Sequence, residues 1–466
     1  MNEMQGEKIL VVGLGESGAA ACEHFLKRGA RVTATDLRAE SEIACAQALR
    51  ERGAALECGG HREETFVSAD RIVLSPGVPP TIPSLEVARR KGISVTGELE
   101  LGAREAKAPL LAVTGTNGKG TTVSLLHHIL ARNGVKSVLA GNVGRPLLRA
   151  VEEQPDAEVF VVEVSSFQLE TIEQFHARSA VILNVTPDHL ERYASFEAYR
   201  EMKAHVFLNQ EAGDLALLNA DEPWQRALAE KATARVWWFA MGDVVKGQGA
   251  VVRNDTVFVT TNEGRHVEEL ISLSETKLLG RHNLQNIMAA ALMAQDRGVP
   301  LQSIRKEIRS FHGLPHVMEF VADVGGVAFY DNSKATNVAA AVKSLEALET
   351  PPAEAGERRV VLLLGGRDKG GDYAPLLEVI PRTVKRLVLM GENREALRKI
   401  LNGTGAELVV CDSLEEAVVR GAAGLEAGNT VLLAPAAASF DMFQDYRERG
   451  RVFSEAVKKL RSGVRA

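Results

Sequence analysis

The sequence predicts a parallel α/β protein built in three successive units. Three observations predict it: short β-branched apolar runs alternate with helical patterns, the alternation starts afresh twice, and polar or glycine-rich turns follow directly on apolar runs. In the first unit Ile9–Gly13, Val32–Asp36 and Arg71–Leu74 read as strands, with helices around Gly18–Lys27 and Ser41–Arg52. The second begins at Leu110–Thr114, followed by a helix from about Lys119 to Asn133 and strands at Val159–Glu163, Ala180–Leu183 and Leu215–Leu218. The third runs through Gly326–Tyr330, Val360–Leu364, Arg386–Met390, Glu407–Val410 and Thr430–Leu433. Boundaries are expected near Gly97 and His312, giving 1–97, 98–312 and 313–466, with Ser94–Glu98 and Phe311–His316 as links. Pro351–Glu357 reads as a loop inside the third unit.

Composition narrows the function. The chain has 466 residues, 45% hydrophobic and 25% charged, the balance of a soluble globular protein with room for about three domains. A formal net charge of −6 argues against a nucleic-acid surface as its main business. Cys22, Cys45, Cys58 and Cys411 form no CxxC pair and read as reduced, buried thiols. The opening residues run straight into the apolar KILVVG with no basic leader, and no segment is long enough to span a membrane. A cytoplasmic monomer is expected.

Two glycine-rich turns of different type carry the first chemistry. Gly13-Leu14-Gly15-Glu16-Ser17-Gly18 follows a strand and opens a helix, and Asp36 ends the next strand. Glycines let the backbone approach a phosphate, and a helix N-terminus offers unpaired N–H groups; the alternative is a tight turn without ligand. Thr114-Gly115-Thr116-Asn117-Gly118-Lys119-Gly120-Thr121-Thr122 also joins strand to helix. Its N–H groups suit phosphates, Lys119 suits the β/γ charge, and a threonine hydroxyl suits Mg²⁺. Two such loops in series point to two nucleotide-containing ligands. The expected folds are therefore an N-terminal Rossmann-like domain, a central P-loop ATPase-like domain with a mainly parallel sheet, and a C-terminal Rossmann-like domain.

Glu163 ends an apolar strand before Ser165-Ser166-Phe167-Gln168, where a carboxylate needs a partner; Mg²⁺ beside a phosphate loop is one, a structural ion pair the other. Leu183–Arg192 likewise breaks from a strand into a polar turn containing His189. Alone, His189 and Lys203 read as ordinary surface residues. In the third unit Tyr330–Asn337, Gly365–Lys369 and Ala434–Asp441 all follow apolar strands, so their polar groups should gather on one sheet edge. Lysines and hydroxyls there suit an acidic small molecule, and capped helix starts are the plainer reading.

Taken in order, GLGESG, SPGVP, GTNGKGTT, GNVG, EVSSFQLE, LNVTPDHLERY, LNADE, GRHN, DNSKATN, GGRDKGGD and APAAASFDMF resemble the Mur ligase family over essentially the whole chain. Among its members the resemblance is to those that add D-glutamate to UDP-N-acetylmuramoyl-L-alanine. It implies that ATP converts a carboxylate to an acyl phosphate, which the amine then attacks. It further implies that Gly115, Thr116, Asn117, Gly118, Lys119, Gly120 and Thr121 hold ATP phosphates, with Asn219, Asn283 and Asp331 near the adenosine. Glu163, a carbamylated Lys203 and Thr121 would bind Mg²⁺, and His189 would sit beside the reacting carboxylate. Ser17, Asp36, Arg38, Asn142, Ser165 and Gln168 would bind the UDP-substrate, and Thr336, Lys369, Ser439 and Tyr446 would bind D-glutamate.

Three positions depart from the family pattern: Gly120 stands where a hydroxyl residue is usual, Asp331-Asn332 appears swapped, and Val317 replaces an arginine. Gly120 also fits a folylpolyglutamate synthase, but that enzyme lacks an N-terminal nucleotide domain like 1–97. An NAD-dependent oxidoreductase with an unrelated P-loop, and a catalytically weakened UDP-sugar-binding homologue, are the other readings.

Overall fold

The computed structural model describes residues 4–186, 192–242, 247–261, 266–348, 358–368 and 372–463. Its first sheet consists of β1 (Lys8–Val12), β2 (Arg31–Asp36), β3 (Ala55–Cys58), β4 (Arg71–Leu74) and β5 (Ser94–Gly97). These lie parallel in the order β3-β2-β1-β4-β5. Alternate side chains of β1 feed opposite faces: Ile9 and Val11 pack with Phe25 and Leu49, while Leu10 and Val12 pack with Phe66 and Leu85. Chain order reverses between β1 and β4, which opens a crevice at the strand ends there.

The second sheet contains β6 (Leu110–Thr114), β7 (Ser137–Gly141), β8 (Val159–Glu163), β9 (Ser179–Ile182) and β10 (Leu215–Asn219). It continues with β11 (Arg235–Ala240), β12 (Gly249–Arg253), β13 (Thr256–Thr261) and β14 (His266–Ser272). Their order is β14-β13-β12-β11-β10-β9-β6-β8-β7, parallel except for the antiparallel β12–β13–β14 meander. Every residue of β6, β8 and β10 is buried, as helices on both faces require. The third sheet holds β15 (Glu319–Val324), β16 (Val327–Asp331), β17 (Val360–Leu364), β18 (Val384–Leu389), β19 (Glu407–Val410) and β20 (Thr430–Leu433). Its order is β15-β16-β20-β17-β18-β19, with only β15 antiparallel.

Residues 1–272 and 284–308 form one compact unit, and 273–283 with 309–466 form a second. The segment 273–283, inside the span expected for the central domain, packs with the third sheet; Lys277 sits over the Phe320 ring at 4.7 Å. The first and second sheets share one unit through a charged seam. Glu152 accepts from Lys27 at 2.7 Å and Arg28 at 2.9 Å and meets His24 Nδ1 at 2.7 Å, while Arg149 donates to Glu23 at 2.9 Å.

Two local expectations are corrected, and one group of strands was not foreseen. Ser94–Glu98 is no linker: Ser94–Gly97 forms edge strand β5 and Glu98 opens the helix Glu98–Glu105, because pairing with β4 rather than an apolar run makes the strand. The helix expected over Ser41–Arg52 is a 3₁₀ turn, Glu40–Glu42, followed by a short helix, Ala46–Glu51. Strands β12 to β14 escaped a reading built on strand–helix alternation, since an antiparallel meander needs no helix between its strands.

Candidate active site

The phosphate loop leaves β6 at Thr114 and enters the helix Lys119–Arg132. Its shape is fixed from the neighbouring strand end: Asn184 after β9 accepts from Thr116 N through its carbonyl at 2.8 Å and from Asn117 N through its side chain at 2.9 Å. Its amide also donates to Asn117 O at 3.1 Å. Lys119 Nζ donates to the carbonyls of Gly115 (2.9 Å) and Thr116 (3.1 Å), so its charge lies over the loop. Thr122 is fully buried and donates to Gly118 O at 3.0 Å, with Asn286 Oδ1 at 3.3 Å. That leaves Thr121, on the partly exposed face, as the better placed of the two hydroxyls. Asn184 and Asn286 were not singled out by sequence, because a lone asparagine after a strand or within a helix carries no chemical signal of its own.

Glu163, at the end of the adjacent β8, is 3% exposed. Its Oε1 accepts from Asn142 Nδ2 at 2.7 Å, and its Oε2 is buried with no hydrogen-bond partner among the described residues. A buried carboxylate oxygen with no donor is costly, and a divalent cation would satisfy it. The β7 exit must pass close by: a Cβ on Gly141, whose φ is +98°, would lie 2.2 Å from Glu163 O, so glycine is required. Lys203, 1% exposed on the helix Phe196–Ala204, donates from Nζ to Gly115 O at 2.9 Å and stands 4.6 Å from the Tyr199 ring centroid. A residue that sequence alone reads as a solvated helical lysine is thus buried against the phosphate loop. Asn219 ends β10 with its amide engaged internally, donating to Leu183 O at 2.8 Å and accepting from Asp221 N at 3.0 Å. His189 lies outside the described residues.

A cavity of about 520 Å³ opens at the crevice of the first sheet. It is lined by the Gly13–Ser17 turn, Asp36–Arg38, His61, Ser75–Pro79 and, from the central sheet, Asn142 and Gln168. The turn is tight: a Cβ on Gly18 would fall 1.9 Å from Gly13 O. Asp36 lines the cavity, but its two oxygens accept four hydrogen bonds from the protein, at 2.7–3.0 Å, from Leu14 N, Arg38 N, Arg38 Nε and Arg38 Nη2. The Arg38 guanidinium holds its carboxyl well below the usual range. Asp36 therefore shapes the loop and aims Arg38. Ser165 and Gln168 form a reciprocal capping box at the start of the helix Ser166–Leu169, with Gln168 Oε1 accepting from Ser165 N at 2.9 Å. Of these two, only Gln168 reaches the cavity wall.

Behind Ser17 lies Glu98, 1% exposed. Its Oε1 accepts from Leu148 N at 2.7 Å, and burial pushes its carboxyl up to about 7 against the opposing pull of Leu148 N–H, Ser17 and Arg149.

In the second unit the three expected turns do share one edge, at the ends of neighbouring strands β16, β20 and β17. Asn332 N donates to Leu433 O, Gly365 N to Pro435 O and Ala436 N to Ala335 O, all at 2.8–2.9 Å. Asp331 is fully buried, accepting from Ser333 N at 2.8 Å and pairing with His316 Nδ1 at 2.7 Å. That hydrogen bond raises the His316 pKa from its ordinary value. Ser439 is buried, and Thr336 and Tyr446 are partly exposed. The Tyr446 ring meets His316 edge-on at 6.3 Å, and its carbonyl accepts from Ser333 Oγ at 2.7 Å. Asn283 donates to Leu279 O at 2.6 Å. Lys369 lies outside the described residues. Sequence reading missed Arg449: 1% exposed, it donates to Ser333 Oγ (3.0 Å), Ser333 O (2.9 Å) and Ala437 O (3.2 Å), tying two of the turns together. Set among charges in Tyr446–Gly463, it looks like one more solvated residue.

This arrangement of a phosphate loop, a buried acidic strand end and a second nucleotide-type crevice agrees with the comparisons. The Mur ligase MurD-like N-terminal domain matches residues 7–97, the Mur ligase middle domain 113–294, and the Mur ligase glutamate ligase domain 318–437. The chain belongs to the Mur ligase family.

Two relatives are named UDP-N-acetylmuramoylalanine–D-glutamate ligase. That of Acidobacterium capsulatum is 42% identical over 456 residues, covering 98% of this chain and 97% of the relative. That of Desulfatibacillum aliphaticivorans is 40% identical over 459 residues, covering 98% and 99%. Among solved structures, a UDP-N-acetylmuramoyl-L-alanyl-D-glutamate–2,6-diaminopimelate ligase shares the fold with a TM-score of 0.60 at 18% identity, covering 99% of this chain and 93% of that one. A MurF ligase from Thermotoga maritima in complex with ADP has a TM-score of 0.52 at 18% identity, covering 98% and 96%.

Proposed function

We propose that this protein is an ATP-dependent ligase that joins D-glutamate to UDP-N-acetylmuramoyl-L-alanine in the cytoplasmic assembly of peptidoglycan precursors. The observation that carries this reading is the double position of Asn142, which lines the crevice cavity and donates to Glu163. A UDP-substrate held by Ser17, Arg38 and Gln168 then presents its far end beside the buried carboxylate and the phosphate loop. The names of the full-length relatives support the choice of D-glutamate.

The residues divide the chemistry. N–H groups from Gly115 to Thr121 and the Lys119 ammonium hold and neutralise the ATP phosphates. Asn219, Asn283 and Asp331 are assigned to the adenosine side. Glu163, with its unpartnered oxygen, Thr121 and a carbamylated Lys203 would hold Mg²⁺, which when bound spreads the phosphate charge. His189 is assigned to the reacting carboxylate. Thr336, Lys369, Ser439 and Tyr446 are assigned to D-glutamate, whose amine forms the amide bond as the acyl–phosphate C–O bond breaks and phosphate leaves.

The test is phosphate release with UDP-N-acetylmuramoyl-L-alanine, ATP and a panel of amino acids. Release dependent on D-glutamate is expected. Release with another amino acid only, or none with any, overturns the assignment.

A further inference from the structure

The line of strand ends in the first sheet gives the crevice a direction. Gln168 and Asn142 of the cavity wall belong to the side where the central sheet adjoins β5; there a Cβ on Gly97 would lie 2.2 Å from Thr171 Oγ1. The glycine turn after β1 and the N-terminus of the twelve-residue helix Glu16–Lys27 occupy the middle. Beyond them come Leu37 and Arg38 after β2, then His61 just past β3, at the opposite end of the sheet order. A UDP-sugar with its diphosphate at the helix N-terminus and its sugar toward Asn142 must lay its base toward Leu37 and His61. Leu37 is 71% exposed beside the cavity, an apolar side chain suited to cover a base.

His61 is half-buried, its ring and that of Phe66 forming a T-shaped pair with centroids 5.8 Å apart, and its Nδ1 lies 2.9 Å from Thr35 Oγ1. Thr35 is fully buried and has one proton to give; its hydroxyl donates to Gly60 O at 3.1 Å. The hydroxyl oxygen can then only accept from His61, which places the ring proton on Nδ1 and leaves Nε2 a bare acceptor. Burial lowers the pKa of His61 from its ordinary value, against the pull of Asp36, and so favours this neutral form.

Resting on the UDP-substrate reading above, we infer that His61 is a specificity residue for the base, its Nε2 accepting the N3–H of uracil in a tautomer set by Thr35 and the Gly60 carbonyl. N3–H is the only donor on the pairing edge of uracil. Cytosine presents an acceptor at that position, so two lone pairs would face each other.

Calorimetric titration of the full chain with UDP, CDP and 3-methyluridine diphosphate tests this. Wild type should bind UDP about tenfold or more tighter than the other two. His61→Ala should bring UDP and its 3-methyl analogue to within about twofold. Thr35→Val should reduce the same ratio, because the tautomer is released; a merely structural role for either residue would weaken all three ligands alike. A ratio unchanged in a folded His61→Ala protein, or equal binding of UDP and 3-methyl-UDP by wild type, overturns the role of His61 and leaves the UDP reading standing. Failure of wild type to bind UDP at all overturns both.

Discussion

Lys203 Nζ and the carbonyl oxygen of Gly115 are joined by a 2.9 Å hydrogen bond between residues 88 positions apart. It brings a buried lysine from the helix Phe196–Ala204 onto the loop that follows β6. A buried ammonium against a phosphate loop adds positive charge where ATP would need it. Converted to a carbamate, the same nitrogen would instead carry an anion toward the metal, as a partner to Glu163. Carbamylation consumes the neutral amine and adds one negative charge, so a cation must retain it. Lys203→Ala is expected to be nearly inactive, with a short carboxylic acid restoring part of the activity. A ¹³CO₂-labelled sample should show a carbamate carbon that disappears in the variant. Full activity of Lys203→Ala defeats this role.

Lys119 lies over its own loop carbonyls at 2.9 and 3.1 Å, the position from which it would meet transferring phosphate. Lys119→Ala should lower turnover on the order of a hundredfold or more, through lost stabilisation of charge in the transition state. Near-normal turnover by a folded variant would remove the phosphate-loop assignment.

Glu98 makes stability depend on pH. Its carboxyl titrates at about 7 in the fold against an ordinary 4.5. The folded state therefore holds a proton that the unfolded chain has lost across that interval. The stabilisation is complete below pH 4.5 and is lost as pH rises through 7. A shift of 2.5 (about 7 minus 4.5) corresponds to roughly 3 kcal/mol at most. Glu98→Gln keeps an acceptor for Leu148 N and carries no charge, so its melting temperature should exceed that of wild type at pH 8 and converge on it near pH 5. Parallel melting curves for the two proteins across this range would refute the prediction.

Val317 sits in a turn between two residues with left-handed backbone, His316 (φ 62°) and Met318 (φ 46°), and its N–H donates to Leu314 O at 3.1 Å. The valine side chain offers no donor to a phosphate, whereas the adjacent imidazole is drawn toward its charged form by buried Asp331. Val317→Arg should raise turnover or tighten ATP binding several-fold, about 1–2 kcal/mol for a charge-assisted hydrogen bond. Steady-state kinetics at varied ATP checks it; an unchanged or slower variant shows that His316 or another cation already fills the role.

Strands β1, β6, β8 and β17 and the turns that follow them were legible because apolar runs and glycine placement are local signals. So was the gathering of the Tyr330, Gly365 and Ala434 turns on one edge, which follows from parallel strands sharing a direction. The meander β12–β14 was not legible to a search for strand–helix alternation, and β5 was not because four residues in SVTG carry too little pattern. Family resemblance supplied the metal role proposed for Lys203; its local pattern alone would have left it on the surface.

By itself the sequence determined that this is a three-sheet, largely parallel α/β Mur ligase with a phosphate loop at Gly115–Thr122. Hydrophobic period and turn chemistry are properties of neighbours along the chain. Only the tertiary structure decided which buried polar groups meet: Arg449 with Ser333 across 116 positions, Glu98 with Leu148 across 50, His61 with Thr35 across 26. A buried hydrogen-bonding group must find a partner wherever the fold offers one. That partner is set by how strands order themselves in a sheet, which local sequence does not encode.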